Sequence, residues 1–209
     1  MIKVCIADNH PVVQHGIKSY FNNSNSIEIV ASVNDFNSLQ NTLQTKSINV
    51  IVVDLELDGL SSIRDIKSII KEYPESKIIL FTSVSEKMYA PTAIKAGVSA
   101  YLLKTASLKE LETTIIRVSN GVVIFSDEVK KTIEELKKGK KSDRLFKKLS
   151  SREIEVLRYL NDGKKNKEIA QILGLDEKTI STYKLRLLAK LNVTNLVDLL
   201  NKAKSLEII

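Results

Sequence analysis

Residues 164–191 read KKNKEIAQILGLDEKTISTYKLRLLAKL, and their spacing predicts two short helices joined by a tight turn. Asn166 is placed to cap the first helix, Gly174 to end it with a positive φ, and Asp176 to cap the second. The apolar residues of the second helix fall on one side, and its polar residues lie mostly outside that stripe. The stripe consists of Ile180, Leu187, Leu188 and Leu191.

This pattern indicates a helix-turn-helix. Such a motif presents its second helix to the major groove of double-stranded DNA, where hydroxyl groups, Lys and Arg reach phosphates and base edges. Taken alone, the stretch is also compatible with an ordinary helical hairpin that has a solvated basic face. The sequence on either side of it decides between the two.

Helical segments flank the pattern on both sides. Ser150-Ser-Arg-Glu153 is a capping box that starts one helix, and residues 193–204 have the spacing of another. The last helix is expected to place four residues in the core, namely Leu196, Val197, Leu199 and Leu200. We therefore expect an all-α four-helix helix-turn-helix domain over residues 148–209.

The charge of the chain is concentrated in its second part. Residues 1–120 contain 12 basic and 12 acidic side chains, whereas residues 121–209 contain 20 and 13, which accounts for the whole net charge of +7. This asymmetry favours a neutral module followed by one that binds a polyanion. Part of the excess lies in the Lys- and Glu-rich residues 121–147, which we predict to be a linker.

The first part of the chain alternates between strand-like and helix-like segments. Five apolar runs of strand length are separated by amphipathic segments with helical spacing. Five such alternations predict an α/β domain over residues 1–120, with a five-stranded, doubly wound parallel sheet covered by helices on both faces.

Composition limits where the protein acts. The single cysteine, Cys5, lies in the first apolar run, so an internal disulfide is excluded and a core position is expected. No apolar run approaches the roughly 20 residues that span a bilayer, and no signal-peptide pattern follows Met1. We expect a cytoplasmic protein with no membrane partner.

Functional side chains follow the predicted strands. Asp8 and Asn9 follow the first strand, Asp54 the third, Thr82 the fourth and Lys104 the fifth. The carboxyl ends of parallel strands meet at one edge of a sheet, so these side chains should converge there. Oxygen ligands of this kind suit Mg²⁺, and a carboxylate beside a bound cation can accept a phosphoryl group. Each residue alone could instead be a helix cap or a surface charge.

With these motifs in order, the chain resembles a two-component response regulator of the LuxR/NarL type, closest to its BvgA/EvgA-like members. The resemblance covers essentially the whole length. It rests on five stretches, namely ADNHP (7–11), VVD (52–54), FTS (81–83), GVSAYLLK (97–104) and LSSREIEVLRYLNDGKKNKEIAQILGLDEKTISTYKLRLLAKL (149–191).

The resemblance implies a flavodoxin-like receiver domain in which Asp54 accepts phosphate from a sensor histidine kinase. Thr82 would be the switch hydroxyl, Lys104 the cation that pairs with the phosphate, and Tyr101 the switch aromatic. Mg²⁺ would be held by Asp8, Asn9, Asp54 and the backbone carbonyl of Glu56. The chain would then be a regulator and not an enzyme, because no second acid–base pair or substrate domain is recognisable.

Two departures from the family pattern affect this pocket. The family usually has two adjacent acids after the first strand, but here the second is Asn9, and an amide attracts a cation less strongly than a carboxylate. The loop after Asp54 is about two residues shorter than usual and lacks its Met-Pro pair. Glu56 or Asp58 could supply a substitute carboxylate. The alternative is an atypical regulator with a degenerate pocket, controlled by protein contacts instead of phosphate.

The resemblance also assigns DNA contacts and partners. Ser181, Thr182 and Lys184 are the candidates for base edges. Leu185 stands where some relatives carry a DNA-contacting Lys, so we expect that Lys contact to be absent. Contacts to phosphates are expected from Lys167, Lys178, Thr179 and Arg186. We expect a homodimer on promoter DNA, with residues 195–204 as a candidate dimer surface and RNA polymerase as a further candidate partner.

Overall fold

A computed structural model of the chain describes residues 1–60, 62–84, 86–127, 129, 149–191, 193–206 and 208–209. The chain divides into two compact units, one formed mainly by residues up to Asp127 and the other mainly by the residues from 149 onward. Most of the predicted linker, residues 121–147, lies outside the described residues, so the predicted domain boundaries stay predictions.

The first unit is an α/β sandwich. Its parallel sheet has the strand order β2-β1-β3-β4-β5. The strands are β1 (Ile2–Ala7), β2 (Ile27–Val33), β3 (Val50–Val53), β4 (Lys77–Thr82) and β5 (Ala100–Leu103). The helices are α1 (Pro11–Phe21), α2 (Phe36–Thr45), α3 (Ile63–Glu72), α4 (Glu86–Ala96) and α5 (Leu108–Ser119). The predicted five-stranded parallel sheet is confirmed.

The core of this unit lies on both faces of the sheet, because successive strand residues point to opposite faces. One face packs against α1 and α5 through Ile17, Phe21, Leu111, Ile115 and Val118. Cys5 is fully buried in β1, and burial raises the pKa of its thiol to about 12. The side chain is therefore a core residue, as its sequence position predicts.

Helix termini in the first unit follow their capping chemistry. The hydroxyl of Ser107 accepts a hydrogen bond from the Glu110 backbone, and the Glu110 carboxylate accepts one in return, which is the capping box read from the sequence. Gly97 ends α4 with a φ of 99°, in the left-handed region that favours glycine.

The second unit contains four helices in its described residues. They are α6 (Ser151–Asn161), α7 (Asn166–Leu173), α8 (Glu177–Leu191) and α9 (Leu196–Ser205). Gly174 stops α7 in the left-handed conformation, with a φ of 62°. The core takes Ile169, Leu173, Ile180, Leu187, Leu191 and Leu199. The predicted four-helix bundle is confirmed.

Two details of the helix reading are wrong. Asn166 does not cap α7; it is the first helical residue, because Lys165 occupies the cap position and its backbone N–H donates to the Glu168 carboxylate. Val197 is 67% exposed, although its spacing suggested a core position. The turn before α9 directs Leu199 and Ala203 into the core instead. None of the described helices is long and apolar enough to cross a membrane.

Candidate functional site

Asp8 and Asp54 lie side by side at the carboxyl edge of the sheet. Ala7 of β1 pairs with Val53 of β3, so the residue that follows each strand emerges at the same level. The Asp54 backbone N–H donates to the Ala7 carbonyl at 2.9 Å, which fixes this register. Both carboxylates are almost fully buried, with 3% and 1% of Asp8 and Asp54 exposed. Two buried carboxylates at this spacing require a cation.

Lys104 supplies that cation. It follows β5, and its backbone N–H donates to the Thr82 carbonyl at 2.9 Å. Its Nζ lies 2.5 Å from Asp54 Oδ2 and 2.8 Å from Asp8 Oδ2. Burial lowers the pKa of Lys104, but the hydrogen bonds and charges of Asp54 and Asp8 outweigh it, and the pKa lies above its ordinary value. The ammonium group is therefore charged.

Asn9 is the residue that departs most from an all-acid pocket. Among the described residues, its Oδ1 is buried and has no hydrogen-bond partner, while its Nδ2 donates to Asp58 Oδ1 at 3.5 Å. A buried amide oxygen without a partner is a hard donor that suits Mg²⁺. The oxygen chemistry of Asn9, Asp8 and Asp54 fits this ion.

The loop after Asp54 is held from both ends. Asp54 Oδ1 accepts the backbone N–H of Glu56 at 3.1 Å, and the Asp58 carbonyl accepts the backbone N–H of Phe36 at 2.8 Å. Gly59 has a φ of 79°, and a Cβ there would lie 3.4 Å from Phe36 Cβ. The side chains of Glu56 and Asp58 are exposed, and their role as substitute carboxylates stays a prediction. The role of the Glu56 carbonyl stays a prediction.

Thr82 and Tyr101 lie on neighbouring strands near this edge. Thr82 ends β4 and is fully buried, and its Oγ1 accepts the backbone N–H of Val84 at 3.4 Å. The Tyr101 hydroxyl donates to the carbonyl of Val84 at 2.9 Å, with the ring buried. Both predicted switch residues therefore contact the same residue, Val84.

Two pocket residues were not assigned a role from the sequence. His10 Nδ1 lies 2.9 Å from Asp8 Oδ1 and 3.8 Å from Asp54 Oδ2, so one nitrogen and the two carboxylates form a compact group that could hold a metal ion. The amide group of Gln14 donates to the backbone carbonyls of Asp8 and Val33. Gln14 lies in the first turn of the helix that follows β1, and this position was the sequence signal that could have identified it.

The second helix of the predicted helix-turn-helix, α8, has one buried side and one exposed side. Ile180, Leu187 and Leu191 are buried, as predicted. Among the predicted DNA contacts, four side chains are exposed, namely Lys167, Lys178, Thr182 and Arg186. Three others are half-buried, namely Thr179, Ser181 and Lys184.

Ser181 also contacts the first helix of the motif. Its hydroxyl accepts a hydrogen bond from Asn166 Nδ2 at 3.2 Å, and this bond joins α7 to α8. Arg186 lies over the ring of Tyr183, with 5.9 Å between its guanidinium carbon and the ring centroid. The exposed side chains of α8 thus include two cations, one hydroxyl and the apolar Leu185, together with the acidic Glu177 in the first turn.

Comparison with known protein families gives a match for each of the two compact units. Residues 4–116 match the response regulator receiver domain, and residues 147–203 match the bacterial regulatory proteins of the luxR family. The chain is a response regulator. Its receiver domain is followed by a LuxR-type DNA-binding domain, which the helix-turn-helix pattern predicted. The narrower likeness to the BvgA/EvgA-like members stays a prediction.

Individual relatives extend the match of this response regulator to its full length. It is 33% identical over 211 residues to the Fimbriae Z protein of Salmonella typhimurium strain LT2, covering 99% of this chain and 98% of that one. It resembles RcsB from Salmonella enterica serovar Typhimurium bound to the promoter rprA in the presence of the phosphomimetic BeF3-, with a TM-score of 0.73, 26% identity and 98% of each chain covered. A structure of two RcsB dimers bound to two parallel DNAs matches with a TM-score of 0.75, 27% identity, and 96% and 97% of the chains covered.

Proposed function

We propose that this response regulator controls transcription by binding promoter DNA, and that phosphorylation of Asp54 by a sensor histidine kinase sets its affinity. The observation that carries the proposal is the buried Asp54 carboxylate, whose Oδ2 lies 2.5 Å from the ammonium group of Lys104. A nucleophile and a cation for the transferred oxygens stand together at the sheet edge. Such a protein, with DNA and a kinase as partners, would act in the cytoplasm.

The chemical step is a phosphoryl transfer. A carboxylate oxygen of Asp54 attacks the phosphorus of the kinase phosphohistidine, an O–P bond forms, and the N–P bond breaks. The imidazole of the kinase leaves with the electron pair of the broken bond. Lys104, which already contacts Asp54, pairs with the phosphoryl oxygens and stabilises their negative charge.

The oxygen atoms of Asp8, Asn9 and Asp54, with the backbone carbonyl of Glu56, would hold Mg²⁺. When bound, this ion neutralises the charge of the phosphoryl oxygens. One of these ligands is an amide instead of a carboxylate, so the site attracts the cation less strongly than an all-acid pocket. We infer a weak Mg²⁺ affinity and a slow phosphotransfer.

The phosphoryl group reaches the rest of the domain through Thr82 and Tyr101. Phosphorylation adds about −1.5 to −2 charges at one point. The Thr82 hydroxyl, which now accepts the N–H of Val84, would turn to donate to a phosphoryl oxygen. Because Tyr101 binds the Val84 carbonyl, movement of this segment changes the position of the ring. Thr82 and Tyr101 would thus couple phosphorylation of Asp54 to the position of the backbone at Val84.

DNA binding is assigned to the exposed side of α8. Lys167, Lys178, Thr179 and Arg186 would bind phosphates, and Ser181, Thr182 and Lys184 would reach the groove. A C2 dimer that reads two half-sites is the proposed assembly, and the structure of two RcsB dimers bound to two parallel DNAs supports it. Residues 195–204 are the proposed dimer surface, supported by the exposed Val197. RNA polymerase would be the further partner at a promoter.

A second candidate function is regulation by protein contacts without phosphate. The observation that favours it is the amide of Asn9 at a position where the family usually has an acid. Asp8 and Asp54 are then the buried carboxylates of the described pocket. In this reading Lys104 holds the two carboxylates permanently, and a partner protein replaces the kinase.

Intact-mass measurement after treatment with acetyl phosphate and Mg²⁺ separates the two candidates. Phosphorylation predicts a mass gain of one phosphoryl group in the wild type and none in Asp54→Asn. Glu75→Gln is the matched control, since it removes an exposed acid that precedes β4, at the opposite end of this strand from Thr82, and should keep the mass gain. A wild type without any mass gain at saturating Mg²⁺ would leave only the second function.

A further inference from the structure

Leu185 is a large apolar side chain in the middle of the exposed face of α8. It is 67% exposed, whereas Leu187, two residues later, is completely buried. A single exposed leucine is common on protein surfaces and means little by itself. Its surroundings on the helix give this one a specific meaning.

The neighbours of Leu185 include side chains that the proposed function assigns to DNA binding. Lys178 and Thr182 lie seven and three residues earlier, on the same side of the helix, and both are exposed. Arg186 follows directly and is also exposed. The Thr182 hydroxyl donates its proton to the Lys178 carbonyl at 2.9 Å, so this proton is not free for a base.

The major groove offers one apolar group that this face can match. Each base edge there presents hydrogen-bond donors or acceptors, and thymine alone adds a methyl group. A leucine side chain cannot form hydrogen bonds, but it can cover a methyl group and exclude water from it. Leu185 lies about 4.5 Å beyond Thr182 along the helix axis, so the two side chains can reach different base pairs, which are about 3.4 Å apart.

We propose that Leu185 contacts the C5-methyl group of a thymine in each half-site and so sets part of the base preference of α8. This inference rests on the proposed DNA binding by the same helix. Lys178 and Arg186, on either side, hold the helix in the groove through phosphates, which carry no sequence information. Leu185 then adds discrimination at one base pair.

Deoxyuridine substitution tests this contact, because uracil differs from thymine only by the missing methyl group. The probe is a duplex enriched from a random-sequence library by the full-length wild-type protein. Each thymine is replaced by deoxyuridine in turn, and the affinity is measured for the wild type, Leu185→Ala and the control Val123→Ala. Val123 is 60% exposed and lies in the first compact unit, away from α8 in the sequence.

At one thymine per half-site, deoxyuridine should lower wild-type affinity by about fourfold, the equivalent of about 0.8 kcal/mol for one methyl group. Leu185→Ala should bind the two duplexes equally, and Val123→Ala should behave as the wild type does. The proposal is overturned if every thymine gives the same response in Leu185→Ala and in the wild type.

The proposed function and this inference fail in different ways. If the wild type enriches no duplex from the library, DNA binding itself fails and the inference fails with it. If the wild type binds and Lys178→Ala weakens binding, but no thymine responds to loss of Leu185, only the inference fails. Leu185→Ala should unfold at the wild-type temperature, because the side chain has little packing to lose.

Discussion

Lys104 Nζ lies 2.5 Å from Asp54 Oδ2, and the same ammonium group lies 2.8 Å from Asp8 Oδ2. One lysine therefore joins the two buried carboxylates at the end of the sheet. A phosphoryl group on Asp54 would bring new oxygen atoms to the ammonium group of Lys104. The ion pair between Lys104 and Asp8 would then compete with these oxygens for the same positive charge. Phosphorylation would thus give the pocket a second arrangement with a different charge distribution, which is the physical basis of the proposed switch.

Replacing Asn9 with aspartate should strengthen metal binding. Asn9→Asp adds a third carboxylate beside Asp8 and Asp54, so we expect the Mg²⁺ affinity to rise by at least about tenfold, or about 1.4 kcal/mol. Isothermal titration calorimetry with MgCl₂ measures this directly. Glu75→Gln, which changes an exposed acid before β4, is the control for a change in net charge. An unchanged affinity in Asn9→Asp would mean that residue 9 is not a ligand.

Removing the Thr82 hydroxyl should uncouple the switch from the chemistry. In the wild type, a coupling of about 1–3 kcal/mol should make phosphorylation raise the DNA affinity by about 5–150-fold. Thr82→Ala should keep the mass gain at Asp54 but lose this rise in affinity. Thr82→Ser retains the hydroxyl and should retain the rise. Fluorescence anisotropy with labelled duplex measures both. Equal rises in the alanine and serine variants would exclude this hydroxyl from the switch.

A lysine that binds a phosphate should affect the salt dependence of DNA binding. Lys178→Ala should weaken binding to all sequences similarly and reduce the slope of log affinity against log salt by about one. Lys71→Ala removes an equally exposed lysine from the receiver domain and should leave the slope unchanged. A slope that is the same in Lys178→Ala and the wild type would contradict the assignment.

Acid should weaken the second domain through Glu153. Burial raises the pKa of this carboxyl, but hydrogen bonds from Lys190, at 2.7 Å, and from Ser150 outweigh burial and hold the pKa below its ordinary value. Because the pKa is lower in the folded state, the stabilisation is complete above the unfolded pKa of about 4.3 and is lost as the pH falls through the folded value.

Glu153→Gln should therefore lower the free energy of unfolding by about 1–2 kcal/mol at neutral pH. Urea unfolding followed by circular dichroism measures the difference, which should shrink as the pH falls below about 4. Lys190→Met and the double variant give the coupling between the two side chains. A difference that is constant from neutral to acidic pH would show that the ion pair does not stabilise the domain.

The sequence predicted the parts of this structure that depend on local pattern. The alternating segments indicated the sheet, and strand ends placed Asp8, Asp54 and Lys104 at one edge, because parallel strands align their carboxyl ends. Gly174 marked the turn of the helix-turn-helix, because few other residues adopt its positive φ.

Contacts between distant side chains could not be read from pattern. Asn166 is a good helix cap by composition, but it begins α7 and donates to Ser181, fifteen residues away. His10 lies in the ADNHP stretch, but its contact with Asp8 depends on the direction of one side chain. The exposure of Val197 depends on the angle at which α9 enters the bundle.

The central claim is that phosphate on Asp54 controls DNA binding. The most direct test measures the affinity of the full-length protein for its library-enriched duplex, with and without acetyl phosphate and Mg²⁺, in the wild type and in Asp54→Asn. The account predicts a rise of about 5–150-fold in the wild type and no change in Asp54→Asn. An equal response of the two proteins, or a wild type that gains the phosphoryl mass without any change in affinity, would contradict it.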